Sequence, residues 1–188
     1  MDKGQSFVTG GGALNAASAI ASLGGEASLV GAVGDDLFGA FVRQELADRG
    51  VNDQYVETIL GAETSRSANM ISPDGDRTIV NHRDAVLFPK DFSLQGDFSF
   101  DAALVDTRWP EAAKQIVKAA RRAGKPAVID AEAPVAAAEG ALSHASHIIF
   151  SQQGLADYTG GDDALALEKV AGKFAAWCAV TRGALPYL

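Results

Sequence analysis

Hydrophobic positions along the chain follow two alternating rhythms, one of helical spacing and one of strand length. Residues 13–23 (ALNAASAIASL) place apolar side chains at helical spacing, and Gly24-Gly25 end the run as a C-cap would. Residues 27–33 (ASLVGAV) form a short apolar run that predicts a buried strand. Asp35 and Asp36 then precede a helical stretch at about 37–49, which Gly50 closes.

The rhythm changes between about 55 and 82. SANMIS and RTIVNH are short alternating runs joined by Ser72-Pro73-Asp74-Gly75-Asp76. Proline presets φ and glycine tolerates positive φ, so this junction predicts a β-hairpin standing apart from the helical layers. Regular alternation resumes with a strand at 101–107, a helix at 110–124 with proline in its first turn and a strand at 125–131. A weaker helix at about 134–142, a strand at 147–150, helices near 153–172 and a strand at 175–181 follow. Strands spaced about 25 residues apart with helical crossovers imply an α/β fold with a doubly wound parallel sheet. No repeat, linker or low-complexity tract interrupts residues 1–188, so the pattern predicts one domain with a hairpin excursion at about 55–82.

Bulk properties narrow the class without naming a chemistry. The chain has 188 residues, 47% of them hydrophobic and 21% charged, enough for one α/β domain with a real core. No run approaches the roughly 20 apolar residues of a membrane helix, and MDKGQSFVTGGG has no apolar segment of a signal peptide. The net charge of −8 argues against a nucleic-acid partner, and phosphate binding would need local donors rather than the overall field. One cysteine, Cys178, cannot form an internal disulfide, which fits a reducing, cytoplasmic setting. His82, His144 and His147 do not cluster with cysteine or carboxylates at ligand spacing, so no metal site is expected.

The first candidate site is Gly10-Gly11-Gly12-Ala13-Leu14-Asn15 at the start of the first helix. Glycines let backbone approach a ligand closely, the helix end offers unpaired N–H donors, and an asparagine both donates to and accepts from sugar hydroxyls. A plain glycine turn before an alanine helix would look the same. A dinucleotide fingerprint fits less well, because Asn15 holds the last glycine's place and no strand pattern precedes the loop.

Residues 10–52 (GGGALNAASAIASLGGEASLVGAVGDDLFGAFVRQELADRGVN) resemble the N-terminal signature of the ribokinase-like (PfkB) sugar kinases nearly throughout. The resemblance implies a ribokinase-like fold with a small β lid, ATP and Mg²⁺ as cofactors, and transfer of phosphate to a sugar hydroxyl. It places sugar binding at Gly10, Gly11 and Asn15, gives Gly34 and Asp35 a structural role, and makes the hairpin at 66–82 the lid. Lids in this family often form the dimer contact, so a homodimer through the hairpin is expected. Asn81 and Arg108 stand where the sulfofructose kinase branch carries sulfonate-binding residues, and LVDTRWPEAA and IIFSQQGLADYTG look like that branch. Arg108 could instead pair with Asp106, Glu111 or another surface carboxylate. Lys3 stands closer to the glycines than the branch's lysine does.

For the nucleotide, Thr181-Arg182-Gly183-Ala184 resembles the family's Thr-x-Gly-Ala, which implies roles for Thr181 and Gly183; a strand ending in a turn is the competing reading. Ser151-Gln152-Gln153 stand where many relatives have Asn-x-x-Glu, and Asp130 and Glu132 either touch ligand or cap the next helix. The family's opening strand with its sugar-gripping aspartate, and its Asp-Thr-x-Gly-Ala-Gly-Asp segment with the general base, do not occur within these 188 residues. The resemblance therefore implies an incomplete kinase domain without its own catalytic base. A non-catalytic, sugar-binding or self-associating remnant is the alternative.

Overall fold

The alanine-rich run forms α1 (Gly12–Ser22), which buries Leu14 and Ala17, and Gly24, at φ +85°, closes it in the left-handed region that suits glycine. This is a computed structural model, and it describes residues 6–72, 74–95 and 99–183; Lys3, Pro73 and Ala184 lie outside them. The chain divides into two compact units, Met1–Pro89 and Lys90–Leu188.

In the first unit β1 (Ala27–Gly34) pairs in parallel with β2 (Val51–Ile59), and α2 (Leu37–Asp48) makes the crossover. A parallel pair needs such a crossover, because a tight turn can only return the chain antiparallel. Leu14, Ala17, Val33, Leu46, Val51 and Val56 bury one small core between these elements. Arg43 of α2 ties the helix to β2: its guanidinium pairs with Asp53 at 2.7 Å, donates to Thr58 Oγ1 at 3.0 Å, and also reaches the Val56 carbonyl.

The hairpin consists of β3 (Arg66–Ile71) and β4 (Arg77–His82), paired antiparallel from Arg66↔His82 to Ile71↔Arg77 as a sheet of its own. The excursion is therefore shorter than the 55–82 expected, because β2 runs on to Ile59 inside the parallel pair. Val51 and Val56 are the buried residues of that strand, too sparse a pattern to mark it in sequence.

The second unit holds β5 (Ala103–Asp106), β6 (Ala127–Ala131), β7 (His147–Ser151) and β8 (Trp177–Thr181), all parallel and in the order β5-β6-β7-β8. Between them run α3 (Pro110–Arg122), a 3-10 turn at Ala136–Ala138 leading into α4 (Glu139–Leu142), α5 (Gln152–Thr159) and α6 (Ala164–Phe174). Parallel sheets need cover from helices, and α3 lies against β5 and β6 while α5 lies against β7 and β8. Ile129, Ile148, Phe150, Val180, Val117, Leu142 and Leu155 are fully buried there. Among the described strands, parallel pairing falls in two sheets, and the reversal of strand order that marks a doubly wound sheet is not among the described pairings.

Candidate functional site

Gly11 precedes α1 at φ +105° and ψ 144°, a conformation open to glycine, and no side chain caps the helix. The first helical bond runs from the Asn15 N–H to the Gly11 carbonyl at 3.0 Å, so the amides before Asn15 sit at an uncapped helix N-terminus. Nothing lies within 4 Å of where a Cβ would stand on Gly10 or Gly11, and both are exposed, as is Asn15. A small polar ligand can therefore meet bare backbone, helix N–H groups and an amide side chain together. The Thr9 hydroxyl, one residue upstream, is hidden from solvent and has no hydrogen-bond partner among the described residues.

The Gly34-Asp35-Asp36 turn is structural, as expected. Asp36 caps α2 by accepting from the Gly39 N–H at 2.8 Å, and it also accepts from the Thr64 N–H at 2.9 Å and the Thr64 hydroxyl at 2.6 Å. Thr64 in turn accepts from the Gly34 N–H at 2.9 Å, and Asp35 accepts from the Gly61 N–H at 2.9 Å. Burial works against the Asp36 charge, but the Thr64 and Gly39 hydrogen bonds and the Arg66 charge hold its carboxyl below the usual aspartate range.

These bonds fix the root of the hairpin. Glu63 just before β3 bridges its two strands, pairing with Arg66 at 2.6 Å and lying 3.1 Å from His82 Nε2, and Arg66 sits 5.6 Å from the Phe38 ring centroid. Along the hairpin, Asn81 accepts from the Ser67 hydroxyl at 2.6 Å across the strand pair. That contact holds the Asn81 amide in place on an exposed strand.

In the second unit, Arg108, Thr181 and Gly183 lie at the C-terminal ends of their strands, the edge where ligands of parallel α/β sheets gather. The Arg108 backbone N–H donates to Asp106 Oδ1 at 2.9 Å, while its guanidinium donates to the Ala133 carbonyl at 3.2 Å. Among the described residues the Arg108 guanidinium makes no ion pair with Asp106 or Glu111. Thr181 is exposed and donates to the Phe150 carbonyl at 3.4 Å, and Gly183 turns the chain at φ +59°. Ser151 caps α5 through the Gly154 N–H at 2.9 Å, and Gln152 donates to Asp162 at 2.5 Å. Both polar groups are thereby engaged in holding α5, and Gln153 stays exposed.

Register brings together what sequence spacing hid. Asp106 and Asp130 are direct neighbours on β5 and β6, 24 residues apart in the chain. Asp130 caps no helix; burial first, then the Glu132 and Asp106 charges, push its carboxyl above the usual range against the pull of Arg108. Only the pairing of the two strands reveals the dyad, since each aspartate alone reads as a strand end. Because the fold favours the protonated acid, stability from this group is present at low pH. It is lost as pH rises from the unfolded-state value of 3.8 through the folded one. Asp130→Asn is therefore expected to raise the melting temperature by a few degrees at pH 7, with the gain vanishing below about pH 4, in calorimetric scans across pH.

Comparisons with known proteins agree on the family. The profile of the pfkB family of carbohydrate kinases matches residues 2–188. Fructokinase-1 of Oryza sativa subsp. japonica is 40% identical over 74 residues, 39% of this chain and 23% of that protein. Ribokinase of Bacillus subtilis is 39% identical over 79 residues, 41% of this chain and 27% of that one. The matches thus span 23% to 40% of the length of the curated relatives. Among solved structures, an Agrobacterium tumefaciens protein assigned as a ribokinase superposes with a TM-score of 0.86 at 33% identity, covering 100% of this chain and 65% of that one. Fructokinase from Vibrio cholerae, solved with fructose, ADP and calcium, superposes at 0.72 with 24% identity, covering 95% of this chain and 64% of that one. The α/β fold with its parallel sheets is ribokinase-like.

Proposed function

The chain belongs to the pfkB family of carbohydrate kinases, and on that basis we propose that it carries sugar-binding and nucleotide-binding parts of an ATP-dependent kinase acting on a hydroxyl of a ketose-like sugar. The uncapped, glycine-lined start of α1 carries this reading, because bare backbone donors beside Asn15 suit a polyhydroxylated ligand. The hairpin would close over the sugar, since phosphoryl transfer must exclude water that would hydrolyse ATP. Thr181 and Gly183 would face the nucleotide phosphates. Among the described residues no group of His, Cys, Asp or Glu side chains is arranged to hold a metal, so Mg²⁺ would arrive on the nucleotide, where it neutralises the charge of the phosphates.

The favoured sugar is 6-deoxy-6-sulfofructose. Arg108 supports it, being a guanidinium at the ligand edge with no ion-pair partner among the described residues and a good partner for an oxyanion. A neutral ketose such as fructose is the second reading, because the Asp106, Asp130 and Glu132 carboxylates around Arg108 would repel a sulfonate. Arg108→Met separates them: it is expected to weaken sulfofructose binding about 10- to 100-fold while leaving fructose binding nearly unchanged, by calorimetry. Equal losses for both sugars would remove the sulfonate reading.

The hairpin also supports self-association: Met70, Ile71, Ile79 and Val80 are each more than half exposed. The 188 residues contain no Asp-Thr-x-Gly-Ala-Gly-Asp segment, so this polypeptide alone should bind sugar with little turnover, a general base alone contributing roughly 10²–10⁴-fold. ADP release with MgATP and a panel of ketoses tests this. Turnover in the ordinary enzyme range of about 1–10³ s⁻¹ would overturn the inactivity, and failure to bind any sugar would overturn the site.

A further inference from the structure

α3 has two unlike sides. Ala112, Ala113, Val117 and Ala120 are buried, while Lys114, Lys118, Arg121 and Arg122 follow one another at i, i+4, i+7 and i+8 away from that core. Lys114, Arg121 and Arg122 are exposed, Lys118 is half-buried, and the Lys114 stem lies against Gly140 of α4. Among the described residues none of these four cations has an ion-pair partner. Arg121 makes one weak contact, to the Ser143 carbonyl at 3.5 Å. The protein's net charge is −8, so with these four set aside the rest carries −12 (−8 − 4). Four unpaired cations on one helix face are thus a concentrated exception in an acidic chain.

His144 stands in the loop between α4 and β7, next to Ser143, whose carbonyl the Arg121 guanidinium reaches at 3.5 Å. Burial and then the charges of Lys118, Arg121, Lys114 and Arg122 hold its imidazole below the usual histidine range. The C-terminal turn of α3 explains part of this, since cations there complement the helix dipole, but Lys114 and Lys118 lie outside that turn. The array follows the helix at about one cation per 5.4 Å turn, ending in two adjacent guanidinium forks. A single small anion can meet only part of it. An extended chain with a charge at every link can meet all of it.

We propose that this face of α3, together with His144, binds an extended phosphate chain of the inorganic polyphosphate class. α3 runs from the edge that carries Arg108 back to the N-terminal edge of the β5–β8 sheet, so Arg121, Arg122 and His144 lie at that far edge, while Lys114 and Lys118 stand along the helix between the two edges. Arg108 precedes α3 and is not part of the site. The acidic remainder of the chain repels polyanions at long range, so binding is short-ranged and strongly salt-dependent. An acidic polypeptide is the rival ligand. Its carboxylates stand farther apart along their chain than consecutive phosphates do, so fewer of them can meet the four cations at once.

The test is an NMR titration of the 188-residue chain with sodium polyphosphate, with polyglutamate run in parallel. Polyphosphate should shift amides over 114–122 and 143–144 and raise the His144 pKa, because a ligand that cancels the local positive charge restores the imidazolium. Affinity should fall roughly 50-fold between 50 and 200 mM salt for about four contacts. The triple variant Lys114→Gln, Lys118→Gln, Arg121→Gln keeps helix-forming side chains and should lose the binding, whereas Lys169→Gln on α6 should keep it. No movement of His144, unchanged binding by the triple variant, or tighter binding of polyglutamate would each overturn the proposal.

Discussion

Replacing Gly34 with alanine is expected to unfold the first unit at temperatures where the native chain is folded. A Cβ at this position would stand 2.1 Å from the Ala62 carbonyl oxygen, 2.8 Å from its carbon and 2.9 Å from the Thr64 nitrogen. All three are backbone atoms, so no rotamer change relieves the overlap. The backbone shift needed would break the bond from the Gly34 N–H to the Thr64 hydroxyl, and with it the bonds from Thr64 to Asp36, which caps α2. Overpacking against immobile backbone together with a lost buried network should cost about 3 kcal/mol or more. For a unit the size of Met1–Pro89, that corresponds to a melting shift of roughly 12–24 °C, readable by circular dichroism. Gly10→Ala is the control: nothing lies within 4 Å of its Cβ position, so the fold should be unaffected. A Gly34→Ala protein that melts with the native one would show that the turn yields more easily than this geometry implies.

Asn15→Ala is expected to weaken sugar binding about 10- to 100-fold, the loss of one or two hydrogen bonds from a polar ligand. The side chain is exposed and makes no hydrogen bond among the described residues, so stability should stay within about 0.5 kcal/mol. Gly11→Val should go further and abolish binding, because φ +105° suits only glycine and a branched side chain would cover the backbone donors. Calorimetry with fructose, alongside a melting curve for each variant, separates lost recognition from lost folding. Native-like affinity in Asn15→Ala would take the start of α1 out of the sugar site.

The elements most legible in sequence were those with strong local causes. The helix at 110–124 was marked by proline in its first turn; it ends at Arg122, and Gly124, two residues on, takes φ +66°. The Gly-Asp-Asp turn was readable as a helix entry because short acidic side chains reach back to helix N–H groups. β2 was not legible as part of the parallel pair. It buries only Val51 and Val56, and its polar positions between them reflect exposure that the sequence pattern cannot distinguish from a lid strand. The capping role open to Asp130 did not survive either, since the turn after β6 begins at Val135 without a side-chain cap.

By itself the sequence determined the order and type of nearly every element, because helix spacing, apolar strand runs and glycine or proline stops act over a few residues. It also determined the glycine-rich start of α1, whose chemistry resides in adjacent residues. Only the tertiary structure decided which strands pair, and therefore that Asp106 and Asp130 share an edge, that Thr64 links Gly34 to Asp36, 28 residues before it, and that Arg121 of α3 reaches the Ser143 carbonyl beside His144. Each of these depends on strand register or helix packing, which local propensity does not encode and which burial of the whole apolar face sets.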